Sequence, residues 1–395
     1  MSKRKRVLYF MPVNPMNDRA GNITRCIQLL EYFERNSSYV ETAFVSFDHW
    51  AQADKMSFEQ KFPNIRLILI QHRENKGNYL KYFFRDKLSR LFLKKGLDQV
   101  TPFHLKQIRK HLSGNFDVTL ISYVEWGRFV EAVPSKRTII DTHDLITSQY
   151  LTRSGDRKSI GQVFQEELEI LNCADEVWTY SIEEQYIFEQ FLTNKVRLLP
   201  VSSSIRKKEK VENRIDHEIL YVASDNGHNQ RSIEWFIQEV LPLVNERFSL
   251  TVVGKICDKI ENNSRIEKVG VVDDLSDIYN TSKITICPML SGTGIKIKVL
   301  ESLGYGLPVV TNRRGVDGLV NKVSNGCLIA DDPNQFAFYI NKLLSDFQFY
   351  NQLQTQGVQF YESYYAPNNE IRILDECFLG KENIDIEESN LRDIK

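Results

Sequence analysis

Apolar residues follow two rhythms that take turns along the chain. Runs of strand-forming residues occupy Arg6–Pro12, Val40–Phe47, Arg66–Gln71, Val118–Tyr123, Thr138–Asp141, Glu176–Tyr180 and Val196–Val201. Several are apolar almost throughout, as expected of strands covered on both faces. Between them lie stretches with helical spacing. Asn22–Arg35 places Ile23, Ile27, Leu30 and Phe33 on one face, and Tyr79–Lys95 and Ile160–Leu171 also read as helices. Both rhythms stop at Ser202–Asp216 (SSSIRKKEKVENRID), which is polar and charged and reads as a linker. The alternation then restarts at Ile219, with strands predicted near Leu220, Thr251, Glu267, Ile284, Val309 and Gly326. Strand–helix alternation on both sides of a linker predicts two α/β domains with doubly wound parallel sheets. Their bounds are 1–201 and 217–365, with 202–216 between them and a tail at 366–395.

Composition narrows the class. A chain of 395 residues with 42% hydrophobic content is long enough for two sizeable cores. A net charge of −1 gives no bulk attraction for nucleic acid, so none is expected as partner. The six cysteines are dispersed without a CxxC pair, which points to reduced thiols and neither a disulfide frame nor a zinc site. The apolar run in MSKRKRVLYFMPVNP is too short for a secretory signal or a membrane span, and no 18-residue apolar run occurs elsewhere. The expectation is a soluble, cytoplasmic protein.

The most informative stretch is Ser291–Thr311, SGTGIKIKVLESLGYGLPVVT. It opens with the loop Gly292-Thr293-Gly294, continues into a helix-forming run carrying Lys296, Lys298 and Glu301, and closes on a strand. Unpaired N–H groups and the helix dipole at such a junction favour an anion. Two lysines add full charges. Glu301 cannot serve a phosphate, but it suits the hydroxyls of a ribose. The alternative for each is ordinary: a solvated helix lysine, or an acid favoured by the helix N-terminus. Lys298 lies between Ile297 and Val299 in an otherwise apolar run, which favours the phosphate reading for it.

This stretch resembles the donor-binding segment of GT-B glycosyltransferases, and looks most like retaining family 4. The family's usual pattern has two glutamates separated by seven residues. Glu301 matches the second, whereas the first position is Thr293. Other segments fit too. Ile219–Ser224 with Asn229 and Ile233–Phe236 resembles the first strand and helix of the family's C-terminal domain. Leu250–Gly254 resembles its next strand, and Gly270–Leu275 with Tyr279 the loop over the base. In the N-terminal half, Ile139–Leu145 and Ala174–Val177 are similar to family segments.

The resemblance implies a GT-B fold, with two Rossmann-like domains facing a central cleft and the tail crossing back to the first. It implies transfer of a sugar from a nucleoside-diphosphate sugar to a glycan or lipid-linked glycan, in surface polysaccharide or glycoconjugate synthesis of the bacterial type. Donor contacts would come from Gly21, Ser224, Asn229, Val271, Val272, Gly292, Thr293, Gly294, Lys296, Lys298 and Glu301. His143 and Asp144, after the strand ending at Asp141, would join Lys298 at the reacting centre. A lone histidine is more often structural, and Asp144 could equally orient its neighbour or meet the acceptor. No cofactor and no metal are expected, since Asp273-Asp274 is not a DxD motif.

Two further possibilities stay open. Loss of the first acid and the thin loop after strand one would also suit a catalytically silent subunit that stabilises a partner transferase. Tyr79–Lys95 interleaves basic and aromatic residues, so it is either a surface helix packed on its aromatic side or a peripheral contact with an anionic membrane.

Overall fold

The computed structural model describes residues 4–16, 21–72, 96–150, 159–202, 215–292 and 294–380. Thr293, the 79–95 segment and most of the 202–216 linker therefore lie outside the described residues.

The apolar runs become two parallel sheets. The first holds β1 (Lys5–Phe10), β2 (Val40–Phe47), β3 (Ile65–Ile70), β4 (Phe116–Ser122), β5 (Ser135–Asp141), β6 (Glu176–Thr179) and β7 (Lys195–Leu198), in the order β3-β2-β1-β4-β5-β6-β7. The second holds β8 (His217–Val222), β9 (Leu250–Val253), β10 (Ile266–Gly270), β11 (Ser282–Cys287), β12 (Val309–Thr311) and β13 (Cys327–Ile329), in the order β10-β9-β8-β11-β12-β13. β2 and β4 are buried over nearly their whole length, with the small polar residues Thr42, Ser46, Thr119 and Ser122 buried among the apolar ones, which is why their sequences do not alternate strictly. In each sheet the order reverses once, between β1 and β4 and between β8 and β11. Ligands of open parallel sheets sit beyond the C-terminal strand ends at such a reversal.

The chain forms two compact units. The first runs to Thr179, takes in Ile187–Leu199 and is completed by the segment from Ile371; the second comprises Tyr180–Tyr186 and Pro200–Glu370. The division expected at residue 201 thus differs at Tyr180–Tyr186. Local bonding explains it: Ile182 N donates to Gly318 O at 3.3 Å, Gly318 N donates to Glu183 Oε2 at 2.9 Å, and Lys322 pairs with Glu183. Residues 366–370 also belong to the second unit, where Ser202 hydrogen-bonds Glu370.

The first unit is closed by residues distant in sequence. Phe378 is fully buried, edge-on to Phe33 at 4.8 Å and to Trp178 at 6.0 Å. Burying one such ring contributes about 1.5–3 kcal/mol. Beside it Arg197 holds Glu376 through two bonds, 3.0 and 2.7 Å, and Glu176 through its Nε at 2.8 Å. Glu176 is itself buried and also takes Arg137 and the Trp178 indole N–H. Burial works against its charge, but the two guanidinium groups outweigh that and hold its carboxyl below the usual range.

Candidate functional site

In the second unit the candidate donor residues gather at the sheet reversal. The chain leaves β8 through Ala223 and Ser224. It passes beneath Gly254, where any side chain would collide with the Ala223 carbonyl. Asn226 then caps the Gly227–Trp235 helix, its side chain accepting from the N–H of His228 at 3.0 Å and of Asn229 at 2.9 Å. Asn229 is buried. Its Nδ2 donates to the Ser224 carbonyl at 2.9 Å, which leaves its Oδ1 directed elsewhere.

That oxygen meets the second group, after β11. Lys298 Nζ donates to Asn229 Oδ1 at 3.2 Å and lies 4.9 Å from the centre of the Tyr221 ring. Burial lowers the Lys298 pKa from its usual value, and the charge of Lys296 adds to that; Cys287 and Glu301 pull the other way. An ammonium held against its own preference is a ready partner for an anion. Lys296, also buried, turns its Nζ back to the Gly294 carbonyl at 2.7 Å. Gly292 and Gly294 take φ of +99° and +74°, a left-handed backbone that glycine adopts without strain. The Ile297–Gly304 helix begins at Lys296 with no side-chain cap, and its Val299 N–H donates to the Lys296 carbonyl at 2.9 Å, so only the N–H groups of Ile297 and Lys298 are left to a ligand.

Glu301 faces Tyr279, whose hydroxyl donates to Oε2 at 3.1 Å. Burial raises the Glu301 pKa, while Tyr279 and Lys298 oppose the rise. Val271 and Val272 part company: Val271 is exposed, whereas Val272 packs on the cluster of Leu220, Val253, Tyr279 and Leu307.

In the first unit, β5 ends at the fully buried Asp141. Thr142 is pinned by two donations to the Trp178 carbonyl, from N at 3.1 Å and from Oγ1 at 2.9 Å. The chain then turns through His143 at φ +61°, a conformation that costs a non-glycine residue about 1–2 kcal/mol. The turn lays the imidazole over Tyr123, with ring centres 4.4 Å apart and planes 21° apart. It brings Nε2 within 3.5 Å of Asp141 Oδ2. Burial depresses the His143 pKa; Asp141 works against this and Arg25 with it. His143 is therefore neutral at pH 7. Asp144 is half-buried, just ahead of the Ile146–Tyr150 helix. That helix has its first N–H groups taken by Glu167, from Ile146 at 2.8 Å and from Thr147 at 2.9 Å. Gly21 opens the Gly21–Arg35 helix.

The structure adds two residues that the sequence reading passed over, His228 and Arg25. His228 Nδ1 sits 2.8 Å from Ser291 Oγ, which also receives Arg231 Nη2 at 3.3 Å, so both basic groups flank the glycine loop. Arg25 is buried, and its charge reaches His143. Its signal was present: Arg25 lies four residues before Leu29 and seven before Tyr32, on the buried stripe of its helix. Among the described residues no three His, Cys, Asp or Glu side chains form a group able to hold a metal ion. Likewise, no helix there is long and apolar enough to cross a membrane.

Residues 216–346 match the family model of glycosyl transferases group 1. Sucrose-phosphate synthase from Thermosynechococcus elongatus superposes over 95% of this chain and 99% of its own, with TM-score 0.63 and 13% identity. HepE of Anabaena, in complex with UDP and glucose, superposes over 96% of this chain and 100% of its own, with TM-score 0.65 and 12% identity. The fold is GT-B. An uncharacterized 44.6 kDa protein in the cps region of Klebsiella pneumoniae is 26% identical over 129 residues, 29% of this chain and 33% of the relative. The chain thus matches about a third of the length of that curated relative. Within the GT-B frame, the glycine loop, both lysines, Glu301 and Asn229 all belong to the unit that carries the family match.

Proposed function

We propose that this protein is a retaining, metal-independent glycosyltransferase. It moves a sugar from a nucleoside-diphosphate sugar to a glycan or lipid-linked glycan, in surface polysaccharide synthesis. One observation carries the reading: Lys298, Lys296 and an uncapped helix N-terminus stand one turn from a half-buried acid, beside the reversal point of a parallel sheet. Positive groups suit the diphosphate and the acid suits the ribose. The Anabaena complexes with UDP and UDP-glucose support the donor class, and the cps-region relative supports the pathway.

The chemistry assigned to these residues is electrostatic. As the bond from the anomeric carbon to phosphate breaks, negative charge gathers on the departing oxygen, and Lys298 with the helix N–H groups stabilises it. The acceptor hydroxyl forms the new bond on the same face and gives its proton to the leaving phosphate. These fixed cationic groups do the work that a metal ion does in other transferases. His143, neutral at pH 7, is the candidate for a hydrogen bond to a sugar hydroxyl.

The test is a panel of UDP-, GDP- and ADP-sugars scored by nucleotide binding and by release of nucleoside diphosphate. Binding with slow hydrolysis, lost in Lys298→Ala, is the expected result. Binding with no turnover, with or without a glycan acceptor, would instead indicate a silent subunit, and no binding of any nucleotide would overturn the reading.

A further inference from the structure

Glu301 belongs to a closed set of contacts between two elements. Tyr279 lies on the Ser276–Asn280 helix, and Tyr305 follows the helix that carries Glu301. Their rings stack at 4.9 Å with only 7° between planes. The Tyr305 hydroxyl donates to Ser276 Oγ at 2.9 Å, so the Ser276–Asn280 helix is clipped at both of its tyrosine contacts. Tyr279 itself is 1% exposed and packs with Leu220, Val253 and Leu307. Its one polar atom reaches the Glu301 carboxylate at 3.1 Å.

This arrangement has a consequence for the carboxylate. The terminal torsion of a glutamate is broad, so an untethered carboxylate turns freely. Here Oε2 is held by a phenol whose ring is buried and stacked on Tyr305, and Oε1 receives no hydrogen bond among the described residues. The phenol is a fixed donor: burial and the neighbouring carboxylate both keep it protonated well beyond neutral pH. A carboxylate can accept about four hydrogen bonds, so with one used on Oε2 both sites of Oε1 are open to a ligand.

We propose that Tyr279 is the positioning residue of the donor site. It fixes the plane of the Glu301 carboxylate so that Oε1 accepts from the vicinal hydroxyls of a ribose, and thereby makes the site selective for ribonucleotides over nucleotides lacking those hydroxyls. The inference rests on the donor reading above and deepens it. Tyr279 touches no substrate and acts through Glu301.

The test is titration calorimetry with UDP and GDP against their 2′,3′-dideoxy counterparts, on wild type, Tyr279→Phe, Glu301→Gln and the double variant. Phenylalanine keeps the stacked ring and removes only the hydroxyl. Wild type should prefer the ribonucleotide by tenfold or more. Tyr279→Phe should cut that preference to threefold or less, leave affinity for the dideoxy nucleotide unchanged, and add nothing further when combined with Glu301→Gln. A Tyr279→Phe protein that keeps its tenfold preference overturns the proposal. So does a variant that loses affinity for both forms equally, since that is the mark of a merely structural tyrosine, and so does a wild type with no ribose preference. A wild type that binds neither nucleotide at all overturns the donor reading itself, which separates that failure from this one.

Discussion

Lys298 and Asn229 are 69 residues apart in sequence and share a hydrogen bond of 3.2 Å. The amide oxygen occupies the ammonium that the proposed donor would need. Asn229 is itself held by Ser224, so it acts as a fixed rest for the lysine, neutral enough to release it. An anion offers Lys298 a stronger, charge-assisted partner than an amide does. An acid at residue 229 would hold the lysine more firmly.

The first prediction concerns this pair. Lys298→Ala should lower sugar transfer by about two to three orders of magnitude, the usual effect of removing one group that stabilises charge in the transition state. Asn229→Asp should weaken nucleoside-diphosphate binding while leaving nucleoside binding unchanged. Single-turnover rates and calorimetric affinities check both. Wild-type values in folded variants would place the diphosphate elsewhere.

The second concerns pH. Burial lowers the Lys298 pKa below the usual 10.5. A diphosphate prefers the protonated form, so affinity should be full below the depressed value and fall as pH rises through it. The loss should therefore begin at lower pH than for an ordinary lysine. Lys298→Arg should shift that alkaline limb upward, because a guanidinium stays charged. Affinities measured between pH 7 and pH 10 decide it; an affinity flat across this range would argue against Lys298 as a phosphate ligand.

His143 supplies the third. Its depressed pKa keeps the ring neutral above its usual 6.5. His143→Ala should lower the transfer rate by about tenfold or more, in the range of a lost positioned polar group, while nucleotide affinity changes little. Loss of affinity and rate together would assign it a purely structural part. If imidazole protonation matters, the acid limb of the wild-type rate should lie below pH 6.5.

A fourth prediction tests the absence of a metal requirement in the proposed chemistry. Transfer activity should survive chelation by EDTA. Complete loss, restored by magnesium or manganese, would show that lysines and helix N–H groups do not suffice.

The fifth concerns stability. Arg197→Ala leaves Glu176 buried with one cationic partner fewer and Glu376 with Lys195 alone, at 3.8 Å. Glu176 keeps Arg137 and the Trp178 indole, so the loss is that of charge-assisted hydrogen bonds, about 1.5–3 kcal/mol, and thermal denaturation measures it. The sign with pH follows from the depressed Glu176 pKa. Its stabilisation is present above the unfolded value near 4.5 and is lost as pH falls through the lower folded value. Removing Arg197 raises that folded value, so acid unfolding should move to higher pH. An unchanged acid midpoint would mean that the network contributes no net stability.

By itself the sequence determined what depends on near neighbours. Buried parallel strands are rich in apolar and β-branched residues, so β2 and β4 were legible, and the Gly21–Arg35 helix was legible from its stripe. The glycine loop, Lys298 and Glu301 fall within ten residues, so the pattern behind the proposed phosphate and ribose contacts could be read directly. Strand order was not written in any one run, and it decides which distant loops meet. Parallel crossovers bring the loop after β8 beside the loop after β11, and only that joins Asn229 to Lys298 and His228 to Ser291. The same holds for the charge of Arg25 acting on His143, and for the left-handed turn at His143 that lays its ring on Tyr123. Tyr180–Tyr186 reads in sequence as part of the first half, yet Glu183 binds Gly318 and Lys322. A local pattern records which face of an element is apolar. It does not record which element will cover that face, because that choice is made by the free energy of the whole packed sheet.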